Sequence, residues 1–278
     1  MQGEKMSSTM QRADGFAAAF TEHFVQADGL RIRYLEAGQG NPVVVLHGSE
    51  DLTPSPLNNL LVQQFRVIAF EIPGFGRPPV NERPSSLRDL ARTLARAAAA
   101  AGLDRYVLVS TSASAPLALW QAIDAQERID ALVLISPLAL LPDGWIAPSG
   151  TPDQLAKLMY AHPEKMSPPQ PEDPETSAKR RSLISHLRGF TGDPALERRL
   201  ADIKAATLVL FGTRDGVIPP EMGRLYIERI PNCYYALVYD AGHVIEAERP
   251  EALFAAVRDF LEHRETFVVS RKNTVINP

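Results

Sequence analysis

Three side chains with complementary acid–base chemistry stand just past three apolar runs of this sequence. Ser112 follows Tyr106-Val107-Leu108-Val109 through Ser110-Thr111. Asp215 follows the run 207–211 through Gly212-Thr213-Arg214, and His243 follows the run 234–238 through Tyr239-Asp240-Ala241-Gly242. A hydroxyl, an imidazole and a carboxylate can act in line. Neutral imidazole takes the serine proton, and a buried carboxylate orients the ring and stabilises the imidazolium. Around Ser112 the residues YVLVSTSASAPLA imply a strand, a sharp turn and a helix. A serine at that apex lies at the helix's positive pole, where backbone N–H groups lack partners and an oxyanion is favoured. The usual form of such a turn is G-x-S-x-G. Ser110 and Ser114 replace both glycines here. Each residue also has a plainer role open to it. Ser112, Ser114 or Thr111 could cap the helix. Asp215 could cap a helix near Pro219, and His243 could be a core histidine near Tyr239.

The elements that must position these groups are bounded first by composition. A chain of 278 residues suits one α/β domain with a full core and an inserted subdomain. With 45% hydrophobic and 22% charged residues it reads as an ordinary globular protein. A net charge of −4 and the lack of a long basic block argue against nucleic acid as a partner. Lys179-Arg180-Arg181 reads as the solvated face of a helical segment. Cys233 is the single cysteine, which excludes a disulfide framework and points to a reducing compartment, the cytoplasm. The first twenty residues lack a signal core, and the apolar run 131–141 is broken by Pro137. No membrane partner is therefore expected. His23, His162, His186 and His263 have no metal-like spacing. No metal or cofactor is expected, and the expected partner is a small-molecule substrate.

Residues 1–21 read as a flexible leader. The runs 23–26 and 30–36 flank Asp28-Gly29, a hairpin signal. Continuous apolar runs at 43–46, 66–70, 107–109 and 131–135 mark strands buried on both faces. Helices are expected over 56–64, from Ser86 (a cap, with Asp89 three residues on) to Gly102, and over 221–230 and 250–263. The fold class is α/β, a mostly parallel central sheet with helices on both faces, so reactive groups collect past the strands' carboxyl ends. Nine of the 23 prolines lie between 142 and 194. That shift marks 137–201 as a helical cap or lid insertion, with helices over 151–161, 175–190 and 194–200. Its Trp145, Met159, Tyr160, Met166 and Phe190 either line a pocket or make the lid's own small core. The core domain is then 22–136 with 202–264. A C-terminal extension, 265–278, carries a strand-like run at 266–270, and an exposed strand there would make a homodimer edge.

Five short motifs fall in one order: Leu46-His47-Gly48, the PGFG of residues 73–76, the serine of the turn, the GTRD of 212–215 and the AGH of 241–243. On these the sequence resembles the α/β-hydrolase family from about residue 23 to 263. The resemblance implies Ser112 as nucleophile, Asp215 as acid and His243 as base. It implies the backbone N–H groups of Ser49 and Ala113 as the oxyanion hole, with His47 and Gly48 supporting that loop. Glu71 stands where the family more often has aspartate. Haloalkane dehalogenases and epoxide hydrolases of this fold use aspartate where Ser112 stands. Haloperoxidase-like members often have tryptophan where Ala113 stands. Ser49-Glu50-Asp51-Leu52 lacks the glycine-rich loop of ring-cleavage carbon–carbon bond hydrolases. The implied function is a serine hydrolase of a small carboxylic ester or related acyl compound, acting through an acyl-enzyme at Ser112. The alternatives are a carbon–carbon bond hydrolase or lyase of the same fold, and a catalytically silent ligand-binding homologue.

Overall fold

Continuous apolar runs become strands here because both their faces are covered. A computed structural model describes residues 18–48, 52–74, 86–166, 178, 192–264 and 275–276. Among these, nine strands form one sheet: β1 (Thr21–Ala27), β2 (Leu30–Ala37), β3 (Pro42–Leu46), β4 (Arg66–Phe70), β5 (Tyr106–Thr111), β6 (Ile129–Ile135), β7 (Ala206–Gly212), β8 (Cys233–Val238) and β9 (Val275–Ile276). Their spatial order is β1-β2-β4-β3-β5-β6-β7-β8-β9. From β4 to β9 every neighbouring pair is parallel. The β1–β2 and β2–β4 pairs are antiparallel. Asp28 (φ 51°) and Gly29 (φ 76°) turn the β1–β2 hairpin in the left-handed region, as the Asp-Gly pair foretells.

Alternate side chains of each strand feed two cores. Val44, Leu46, Leu108, Leu132, Leu134, Val209 and Phe211 pack on one face, against α2 (Leu87–Ala100), α3 (Ala115–Asp124) and α6 (Gly223–Arg229). Val43, Val45, Val107, Val109, Val133, Leu208 and Leu210 pack on the other, against α1 (Pro56–Leu61), α7 (Ile245–Glu248) and α8 (Pro250–His263). The middles of the central strands are therefore apolar on both faces, with no alternation to read. Ser86 caps α2 by accepting from the Asp89 N–H, and Gly102 follows it at φ 79°. The helix expected over 221–230 begins later, at Gly223, because Pro219-Pro220 makes Pro220–Met222 a 3-10 turn.

Between β6 and β7 the described residues hold α4 (Pro152–Met159), a 3-10 turn at Pro163–Lys165 and α5 (Pro194–Glu197). The helix expected over 175–190 lies outside the described residues, apart from Ala178, which is helical. The strand-like run 266–270 also lies outside them. What the tail does show is β9, which pairs parallel with β8 of its own chain and covers that edge of the sheet. Among the described residues no helix is long and apolar enough to cross a membrane.

Candidate active site

The sharp turn after β5 holds its first residue in a conformation that L side chains avoid. Ser112 has φ 53°, and Ser112–Ser114 form a 3-10 turn leading into α3. A non-glycine residue there costs on the order of 1–2 kcal/mol, so the surroundings must impose it. The serines that replace the customary glycines supply part of that constraint. Ser114 Oγ accepts from the Thr111 N–H at 3.2 Å and lies 3.0 Å from both the Leu46 and Thr111 carbonyls. Ser110 Oγ is 3.1 Å from it. Both hydroxyls are buried. A glycine could make none of these bonds, so here the turn is clipped to the end of β3 as well as to its own strand.

The turn presents Ser112 to a loop that follows β8. Ser112 Oγ is 2.8 Å from His243 Nε2, and His243 Nδ1 is 2.9 Å from Asp215 Oδ2. Asp215 and His243 are both buried. The other carboxylate oxygen of Asp215 accepts from the Val217 and Ile218 N–H groups at 2.9 and 3.0 Å. The two roles open to Asp215 thus coexist: it caps the turn after β7 and faces the imidazole. With Nδ1–H donating to the carboxylate, Nε2 is bare and accepts from the Ser112 hydroxyl. The loops that carry Asp215 and His243 touch through glycine. A Cβ on Gly212 would sit 2.2 Å from the Ala241 and Gly242 carbonyl oxygens.

His47 joins two loops beside this chain of bonds. Its Nε2 accepts from the Ile72 N–H at 3.0 Å, which leaves its Nδ1 protonated, 3.0 Å from the Gly48 carbonyl. Gly48 lies beside the serine, where a Cβ on it would meet Ser112 Cβ at 3.8 Å, an ordinary van der Waals contact. Ala113 follows Ser112 within the 3-10 turn. Ser49, Glu50 and Asp51 lie outside the described residues. Glu71, the acid after β4, is buried and paired with Arg33 at 3.3 Å. Asp240 lies three residues before His243, at φ 55°. The His162 imidazole, 2.8 Å away, and then Arg214 hold its carboxyl below the usual aspartate range.

A cavity of about 260 Å³ opens onto Ser112, His243, His47 and Gly48. Leu52, Pro54, Pro56, Met159 and Tyr160 are among the residues that line it. Of the insertion residues expected at a pocket, these last two line it. Trp145 instead donates its indole N–H to the Val217 carbonyl at 2.9 Å, Met166 lies outside the lining, and Phe190 falls outside the described residues. Asn58 of α1 also lines the cavity while being only 4% exposed. No spacing in the sequence singles it out. Among the described residues no group of three or more His, Cys, Asp or Glu side chains could hold a metal ion.

A sequence model of the alpha/beta hydrolase family matches residues 43–257, most of the chain and all of the elements that carry this site. The chain belongs to the alpha/beta hydrolase family. This alpha/beta hydrolase is 25% identical to the 2-hydroxy-6-oxo-6-(2'-aminophenyl)hexa-2,4-dienoic acid hydrolase of Metapseudomonas resinovorans, over 93% of this chain and 97% of the relative. It is 28% identical to the 2-hydroxy-6-oxononadienedioate/2-hydroxy-6-oxononatrienedioate hydrolase 2 of Pseudomonas putida, over 84% and 92%. Among solved structures it resembles a bacterial membrane phospholipase A with a TM-score of 0.74 at 24% identity, over 89% of this hydrolase and 87% of that chain. That last likeness is one of fold.

Proposed function

We infer that this alpha/beta hydrolase cleaves a small carboxylic ester or related acyl compound through an acyl-enzyme at Ser112. One observation carries the reading: the unbroken pair of hydrogen bonds, 2.8 and 2.9 Å, from Ser112 through His243 to Asp215 beneath an open cavity. Ser112 Oγ attacks the carbonyl carbon while His243 Nε2 takes its proton. Asp215 stabilises the imidazolium. The backbone N–H of Ala113, and that of Ser49 on the expected oxyanion loop, take the developing negative charge. The carbon–oxygen bond to the leaving group breaks as His243 returns the proton to it. Water then gives its proton to His243 and attacks the same carbonyl, and His243 returns that proton to Ser112 Oγ as the bond to the acyl carbon breaks and the acid leaves.

A second reading is favoured by the relatives. The acid named for the Metapseudomonas hydrolase has a ketone at its sixth carbon and no ester, so hydrolysing it breaks a carbon–carbon bond. The same serine, base and oxyanion donors would serve that reaction.

A fluorophosphonate probe and two substrates separate the possibilities. The protein should label at Ser112 and hydrolyse a short p-nitrophenyl ester. Ser112→Ala should abolish labelling and lower kcat by about 10⁴-fold or more, the scale seen when a serine triad loses its nucleophile. Higher kcat/KM on the dienoic acid than on the ester would favour the second reading. Absence of both labelling and turnover would leave a binder.

A further inference from the structure

The base loop does not stand alone. The residues that end α4 run alongside it, backbone against backbone. The His243 and Val244 N–H groups both donate to the Met159 carbonyl, at 2.8 and 3.2 Å. The Gly216 N–H, next to Asp215, donates to the Leu158 carbonyl at 3.1 Å. The approach needs glycine. A Cβ on Gly242 would lie 2.6 Å from the Met159 oxygen and 2.7 Å from the Ala161 nitrogen. One on Gly216 would lie 2.9 Å from the Leu158 oxygen.

One side chain spans both segments. Glu248, the last residue of α7, accepts from the Gly242 N–H at 2.6 Å and from the Ala161 N–H at 3.2 Å through one oxygen. Its other oxygen accepts from the His162 N–H at 2.9 Å. A carboxylate is suited to this because both its oxygens only accept, and bonds to a charged acceptor are the stronger kind. Glutamine offers one accepting oxygen, and its amide end would face an N–H. We propose that Glu248 is a positioning residue that locks the base loop, Gly242-His243, to the pocket wall at Met159 and Tyr160, so that base and wall keep one register. Glu248 touches no reacting atom. It acts through the His243 backbone, and the serine opposite is anchored separately by the clipped turn after β5. A slip of the wall relative to the core therefore lengthens the hydrogen bond between His243 Nε2 and Ser112 Oγ.

The catalytic half of this proposal rests on the function argued above, so the test has two readouts. The first is amide hydrogen exchange, followed by mass spectrometry in the whole protein and in Glu248→Gln. Exchange should accelerate at least tenfold in peptides covering 159–162 and 242–244 together, while β5 and β6 keep wild-type rates. Unchanged exchange, or acceleration in only one of the two segments, would overturn the proposal. The second readout is steady-state hydrolysis of a p-nitrophenyl ester. Glu248→Gln should lower kcat about 10- to 100-fold, the penalty of misplacing a catalytic group by up to an ångström, and should raise KM because Met159 and Tyr160 move. A lowered Tm with wild-type kcat per folded molecule would mean a purely structural role and would also overturn it. If Glu248→Gln does not fold, Glu248→Asp takes its place with the same readouts, since it keeps the charge but is too short to reach both segments. Failure of the hydrolase reading appears differently, as undiminished turnover in Ser112→Ala, and leaves the exchange measurement to decide the clasp.

Discussion

At the scale of single residues, the departures from the customary turn are what the site uses. Ser114 replaces a glycine, yet its hydroxyl is buried and joins four groups: the Leu46 and Thr111 carbonyls, the Thr111 N–H and the Ser110 hydroxyl. Removing a buried partner costs the groups it served their desolvation as well as the lost bond. Ser114→Ala should therefore destabilise the fold by about 1–3 kcal/mol, read as a lower denaturant midpoint at unchanged slope. The same variant tests how the left-handed φ of Ser112 is held. If the clip to β3 imposes it, turnover should fall along with stability. If Ser114→Ala costs under about 0.5 kcal/mol, the range of a surface change, the network is incidental.

At the scale of elements, legibility in the sequence followed the range of the forces involved. The strand runs 43–46 and 66–70 could be read because a strand covered on both faces is apolar throughout, and both were found within a residue of their expected bounds. The Ser86 cap and the Asp28-Gly29 turn could be read because each acts within three or four residues. Ser112, Asp215 and His243 were legible as residues that follow strands in a parallel sheet. The clip from Ser114 to Leu46, the clasp of Glu248 and the inward face of Asn58 were not, since each joins positions that only the packed chain brings together. A surface pairing between helices shows the same limit. Arg88 of α2 grips Asp124 at the end of α3 with two bonds of 2.7 Å, and Arg92 adds a third at 3.1 Å. The Arg88 guanidinium, foremost, holds the Asp124 carboxyl below its ordinary range. A carboxyl depressed by folding adds stability that is complete above its unfolded pKa, about 3.9, and is lost as pH falls through the lower folded value. Asp124→Asn should then be less stable than wild type near neutrality by about 0.5–1 kcal/mol, as for a partly exposed pair. Thermal melts should show that gap closing below about pH 4. A gap that persists into acid would assign the effect to packing.

At the scale of the whole molecule, the question is whether the stretch between β6 and β7 melts with the sheet or apart from it. Three aromatic side chains are among the ties that hold its described ends to the core. The Trp145 indole donates to the Val217 carbonyl, the Trp120 indole of α3 donates to Asp193 at 2.9 Å, and the Tyr226 hydroxyl of α6 sits where the chain leaves β6. That hydroxyl accepts from the Leu140 N–H at 3.1 Å and donates to the Pro137 carbonyl at 3.3 Å. Tyr226 is fully buried, and burial pushes its phenol well above the ordinary range, so it remains protonated as a donor. Tyr226→Phe keeps the ring and its packing but leaves the Leu140 N–H, itself buried, without its acceptor. The cost should be about 1–3 kcal/mol. Each kcal/mol lowers Tm by about 2–4 °C in a chain of this size. Because the tie lies between that stretch and the sheet, the loss should appear as a shift of one cooperative transition, with calorimetric and van't Hoff enthalpies still in agreement. A new, earlier transition in Tyr226→Phe, with the main one unmoved, would mean that the stretch melts by itself and that the His243 loop borrows its support from a separately folding unit.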